Sequence, residues 1–186
     1  LERREKNGVH TISIVGYTNA GKTTLFNELT GKKKYAKNEL FATLDSATGR
    51  IYLPHLKQEI LISDTIGFIQ NLPAKLIDAF KSTLMEAIHA DVLVHVIDSG
   101  DPYMKKKIEV VSQVLHEVGI GNKPIIYVFA KIDTVPKEQR TALLQEYASY
   151  APQCISTQTG EGLKELIQEI EYHLQQYALL DEKENN

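Results

Sequence analysis

Residues 16–23 read GYTNAGKT: a glycine, four intervening residues, then Gly-Lys-Thr. Glycines at this spacing let the backbone bend until successive N–H groups and the start of the following helix face one anion, as a bound phosphate requires. Lys22 then reaches the β- and γ-phosphates of a nucleotide, and the Thr23 hydroxyl ligates Mg²⁺. Asn19, Ala20, Gly21, Lys22, Thr23 and Thr24 are the candidate phosphate-binding residues. Further on, DTIGF (64–68) closes an apolar run, so Asp64 falls at the carboxyl end of a strand, where α/β sheets place their ligands. Asp64 is the carboxylate expected to hold Mg²⁺ through water, and Gly67 offers a backbone N–H to a γ-phosphate. Alone, Asp-x-x-Gly is ordinary turn chemistry; behind a phosphate loop it takes on this second meaning. Between the two, FATLD puts Thr43 in a long loop, where its hydroxyl and carbonyl could close over Mg²⁺ and the γ-phosphate. Lys22, Thr43 and Gly67 are therefore the candidate catalytic groups.

Two later segments suit a base. AKID (130–133) follows the next-to-last apolar strand and STQTG (156–160) the last. Asp133 can accept both N1–H and the exocyclic amine of guanine, a pairing adenine cannot offer. Lys131 lays its aliphatic stem along the ring, and backbone N–H groups of the turn Ser156, Thr157, Gln158 meet the guanine oxygen.

The elements needed to position these groups are legible as alternation. HTISIVG precedes KTTLFNELT; GRIYLP and EILISD precede the helical pattern LIDAFKSTLMEAIHA; DVLVHVID precedes a helix with Ile108, Val111, Leu115 and Val118 on one face. KPIIYVFA precedes a helix bearing Leu143, Leu144 and Tyr147, and QCIS precedes one with Leu163, Leu166, Ile167, Ile170 and Leu174. Strands alternating with helices predict a three-layer α/β domain with a mostly parallel sheet, six-stranded and flanked by about five helices. Two long loops, 31–48 and 64–74, interrupt it at lengths that usually carry function. The 186-residue chain supports one core. A net charge of −3 gives no global case for nucleic acid or membrane binding, and the single Cys154 suits a reducing cytosol. No segment approaches the roughly 20 apolar residues of a membrane span. A cytoplasmic monomer with no membrane or DNA partner is expected.

The order of these motifs is specific. The phosphate loop, FATLD, DTIGF, AKID and STQTG resemble the translation-factor-related GTPases, and GYTNAGKTTLFN, LFATLD and DTIGFIQNLP followed by LIDAFKSTL resemble the HflX family in particular. The resemblance implies the phosphate-loop GTPase fold, GTP hydrolysis with Mg²⁺, and association with the large ribosomal subunit, including ribosome splitting, mostly through regions outside this chain. It also implies residues 1–8 as the end of a helical linker from an N-terminal domain, 9–180 as the GTPase domain and 181–186 as a disordered tail. A frayed terminus accounts equally for LERREKNG.

Three features set the chain apart. Ala130 stands where the family has the asparagine of NKxD, whose amide bonds the guanine ring and ties this loop to the phosphate loop, so weaker binding with reduced guanine preference is expected. Phe68 stands where many GTPases place a glutamine that orients water; phenylalanine has no group for that task, so intrinsic turnover should be slow. Phe68 also suits a core anchor. Asn19 matches an asparagine that related GTPases use to hold K⁺, which would add charge near the β/γ bridge; asparagine also tolerates tight-turn backbone. Two rival readings follow: a nucleotide-binding switch with little turnover, and a base-promiscuous NTPase. The lysines of KKKYAK (32–37) fit RNA phosphates or plain solvent, and the six histidines lack metal-ligand spacing.

Overall fold

A computed structural model describes residues 9–31, 47–65, 67 and 85–184. Its strands are β1 Thr11–Val15, β2 Ala47–Leu53, β3 Gln58–Asp64, β4 Val92–Asp98, β5 Ile125–Ala130 and β6 Gln153–Cys154. They form one sheet in the order β2-β3-β1-β4-β5-β6. All neighbours pair in parallel except β2 and β3, a hairpin closed at residues 54–57. β1 therefore lies inside the sheet with later strands on both sides, which makes its carboxyl end the topological switch point where α/β sheets bind ligands.

The helices are α1 Lys22–Thr30, α2 Met85–His89, α3 Met104–Glu117, α4 Lys137–Glu146 and α5 Leu163–Glu184. On one face of the sheet, Ile12, Ile14, Ile62, Val94 and Val128 pack with Leu25 and Phe26 of α1 and with Leu166, Ile170 and Leu174 of α5. On the other, Val15 and Leu93 pack with Val111 and Leu115 of α3. The alternation of β4, Val92, Val94 and Val96 to one side and Leu93 and Ile97 to the other, is why its sequence reads as an unbroken apolar run. The expected three layers and parallel sheet are present.

The far end of the sheet differs from the sequence pattern. The strand expected over QCIS pairs only at Gln153 and Cys154, and α4 buries none of its residues. Of the face expected there, Leu144 is exposed, while Leu143 and Tyr147, just past the helix, pack with Phe129. With so short an edge strand there is little sheet for α4 to cover. Burial pushes the Cys154 thiol up, which suits a packing role. At the other end, α5 continues to Glu184, past the boundary at residue 180 expected for the domain. Of the helical pattern 76–90, residues 76–84 lie outside the described residues, as do Thr43, Phe68, the KKKYAK segment and nearly all of both long loops.

α5 also grips the β2–β3 hairpin. Glu171, 3% exposed, accepts the His55 N–H at 2.7 Å, His55 Nδ1 at 2.6 Å and the Leu56 N–H at 3.4 Å. Burial pushes this carboxyl up, but the hydrogen bonds from His55 and Leu56 and the charge of His55 outweigh it, so Glu171 sits below its ordinary 4.5. A depressed carboxyl contributes stability that is complete above about pH 4.5 and is lost as pH falls through the folded-state value. Glu171→Gln should therefore lower Tm at pH 7 by roughly 4–8 °C, for a loss of about 2 kcal/mol. The deficit should shrink toward pH 3 in thermal melts; an equal deficit at both pH values would mean that the ionised carboxylate is not the stabilising form.

Candidate functional site

The phosphate loop leaves β1 at Gly16, where φ is +152° and a Cβ would stand 2.3 Å from the Val96 carbonyl oxygen. Only a glycine lets the loop lie this close to β4. The loop turns back through Asn19, whose φ of +61° is a left-handed conformation that asparagine accepts with little strain. This backbone demand alone accounts for the asparagine. Gly21 precedes α1, whose N-terminus has no side-chain cap and no acidic residue in its first turn. The helix thus begins at Lys22, Thr23 and Thr24 with its positive dipole end toward the loop, as an anion site requires.

Lys22 is buried, and its Nζ donates to the Tyr17 carbonyl at 2.9 Å. Burial pulls the ammonium down to about 8, with Asp64 partly offsetting it. It remains mainly charged at neutral pH, and phosphate oxygens would restore what burial removes. Thr23 Oγ1 donates to Asp64 Oδ2 at 2.8 Å, joining the first turn of α1 to the end of β3. A hydroxyl and a fully buried carboxylate side by side are hard oxygen donors that suit Mg²⁺.

Beyond Asp64, Thr65 folds the chain over the loop: its N–H and Oγ1 both donate to the Ile14 carbonyl, at 3.3 and 2.6 Å. Gly67 consequently lies on the phosphate loop. A Cβ there would be 2.8 Å from Thr18 Cα and 2.9 Å from Lys22 Nζ. Lys22, Thr23, Asp64 and Gly67 are thus brought together as the sequence pattern requires, while Thr43 lies outside the described residues.

The base-reading segments meet at the same end of the sheet. Asp98 and Ala130 are register partners at the ends of β4 and β5, and the Ile132 N–H donates to the Ile155 carbonyl at 3.1 Å. Asp133 is exposed at a short turn of 3₁₀ helix, Ile132–Thr134. Ala130 is 5% exposed, and its methyl stands 3.9 Å from a Cβ built on Gly21. Position 130 therefore faces the phosphate loop with no polar group. The second turn, expected to offer three N–H donors, is itself hydrogen-bonded. Ser156 N–H is committed to the Glu161 carbonyl and Gln158 N–H to Ser156 Oγ. Ser156 shapes the turn, its Oγ accepting from the N–H groups of Gln158 and Thr159 at 3.2 Å.

Sequence reasoning missed Asp98, which accepts a hydrogen bond from Lys131 at 2.7 Å. Its signal was an acid at the carboxyl end of a strand, the same signal that identified Asp64. Behind the loop, a cavity of about 90 Å³ is lined by Tyr17, Asn19, His95, Asp98, Lys107 and Lys131, among others. Burial and the Lys22 charge hold His95 down at about 3, so it is neutral.

A cradle for phosphate, paired hard oxygens and a base-reading turn at one sheet end define the class of phosphate-loop nucleotide-binding proteins. A family profile described as "50S ribosome-binding GTPase" matches residues 11–131. The chain belongs to that GTPase family, and HflX proteins are its curated relatives. The HflX GTPase of Akkermansia muciniphila is 46% identical over 166 residues, 87% of this chain and 38% of the relative. The chain thus spans well under half the length of that relative. Among solved structures, a GTP-binding protein from Sulfolobus solfataricus in complex with GDP superposes with a TM-score of 0.70 at 30% identity, covering 90% of this chain and 53% of the other. Era in complex with MgGDPNP and nucleotides 1506–1542 of 16S ribosomal RNA gives 0.68 at 26%, covering 87% and 55%.

Gly16→Ala should cost about 3 kcal/mol, roughly 6–12 °C in Tm, because backbone cannot yield to the added methyl. A melt within a degree of the parent would mean that the loop does not lie against Val96.

Proposed function

We propose that this domain binds GTP and hydrolyses it to GDP and phosphate with Mg²⁺. The observation that carries the reading is the convergence of Lys22, the Thr23–Asp64 pair and Gly67 on one cradle, with Asp133 and Thr157 at the same sheet end. Thr23 and, through water, Asp64 would hold the metal, which supplies charge neutralisation at the β- and γ-oxygens. Lys22 balances the phosphate charge from the loop side, and the Gly67 N–H marks the γ-phosphate. K⁺ at Asn19 belongs to this proposal only as a comparison of rates in K⁺ and Na⁺. A cytoplasmic location and a ribosomal partner are proposed from the family's description and from the RNA-bound relative; among the described residues no helix is long and apolar enough to cross a membrane.

Phosphate release under excess GTP tests the activity. Gly67→Ala should reduce it by about 10²-fold, since its added methyl, 2.8 Å from Thr18 Cα and 2.9 Å from Lys22 Nζ, pushes the Gly67 N–H away from the loop and one backbone donor to developing charge is worth that much, and GDP should weaken as the same methyl crowds the phosphate loop. Release no faster than the buffer blank, with GDP still bound, would favour a switch without turnover.

One observation supports a second reading of the base site: the Ala130 methyl, facing Gly21 with no polar group, leaves guanine recognition to Asp133 and the turn at 156–158. Ala130→Asn should tighten GDP by about 10-fold, for 1–2 kcal/mol of restored hydrogen bonding, and leave ADP unchanged. Equal gains for both nucleotides in calorimetry would identify a base-promiscuous NTPase.

A further inference from the structure

Lys131 sits in a left-handed conformation, φ 58° and ψ 34°, at the start of the base-reading turn. Its Nζ donates both to the Asn19 carbonyl of the phosphate loop, at 3.0 Å, and to Asp98 Oδ2, at 2.7 Å. The other oxygen, Oδ1, accepts the Gly100 N–H at 3.0 Å. Asp98 is thus oriented by its own turn through one oxygen and aims the second at the lysine. The Lys131 stem crosses Gly21, its Cε 3.8 Å from a Cβ built there, beside the Ala130 methyl at 3.9 Å. Where an asparagine amide would link the two loops, a methyl faces Gly21. The polar link runs one residue further on, through an ammonium that a carboxylate on β4 holds in place.

We propose that Asp98 is a positioning residue for nucleotide binding. By fixing Lys131 across the phosphate loop it supplies an ionic tie between the base-reading and phosphate-binding loops that Ala130 cannot supply. The proposal rests on the guanine-nucleotide reading above. Asp98 touches no nucleotide on this account; it sets where Lys131, and with it Asp133, stand relative to the phosphates. The ammonium-carboxylate pair is partly exposed, at 40% and 24%, so its worth lies in orientation more than in net stability.

A double-mutant cycle separates this from a general structural effect. GDP and ADP are titrated calorimetrically into the parent, Asp98→Asn, Ala130→Asn and the double variant, with melting temperatures recorded for each. Asparagine keeps an oxygen for Gly100 and loses the charge, so folding is retained. Asp98→Asn should weaken GDP by about five- to tenfold in the parent and by less than about twofold beside Ala130→Asn, where the amide carries the tie. Asp98→Glu, which keeps the charge, should return GDP affinity to within about threefold of the parent. The same loss in both backgrounds, or no loss in either, overturns the proposal, as does a parent that binds no nucleotide. A parent that binds ADP as well as GDP overturns the guanine reading instead, and the same cycle run with ADP still decides the role of Asp98.

Discussion

A buried ammonium organises this domain. Lys22 is held out of water, its pKa pulled down to about 8, with a backbone carbonyl as acceptor and Asp64 as the offsetting negative charge. A cation kept in this way costs free energy unless more negative charge arrives. Burial and the Lys22 charge together keep His95 neutral. Nearby charges are otherwise committed, Lys107 to an ion pair with Asp101 and Lys131 to Asp98. The site is electrostatically complete only with an anion in the loop, and this is the sense in which the fold prepares phosphate binding.

Holding that lysine in place is a task for backbone more than side chains. β1 delivers the loop from inside the sheet, Gly16 lets it lie on the Val96 carbonyl, and Thr65 folds the segment after β3 onto Ile14 so that Gly67 reaches the loop from above. Three strands thus converge on one turn with almost no side chain between them. The hairpin that joins β2 to β3 is fixed at its far end by Glu171, so the strand that ends in Asp64 is anchored at both ends.

The parts legible in the sequence were those written in spacing or period. The phosphate loop, Asp64 and Gly67 form recognisable patterns because backbone geometry restricts the residue types. The strands β1, β3, β4 and β5 declare themselves because burial on two faces demands continuous β-branched residues. What escaped notice depends on tertiary placement. Asp98 pairs with Lys131 across 33 residues of chain and Glu171 reaches His55 across 116, and neither pairing leaves a local signature. Of the apolar face expected on α4, Leu143 and Tyr147 pack with Phe129 of β5 and only Leu144 stays exposed, a distinction that helical period alone does not make. The bonds that the turn at 156–158 makes to the Glu161 carbonyl and the Ser156 hydroxyl likewise leave no local signature.

The alanine at 130 changes what can join the base-reading and phosphate-binding loops. An amide at that place would hold the two loops together by short, neutral hydrogen bonds with fixed geometry. With a methyl there, no buried donor or acceptor of its own is left unsatisfied, so the penalty of an orphaned polar group at position 130 is avoided. The remaining connection is the lysine next to it, longer, charged and partly in water. Such a link tolerates small displacements between loops that an amide would not, and salt screens it where an amide bond would be indifferent. The expected consequence is a base-reading loop whose register on the phosphate loop is set electrostatically and whose grip on guanine depends on ionic conditions.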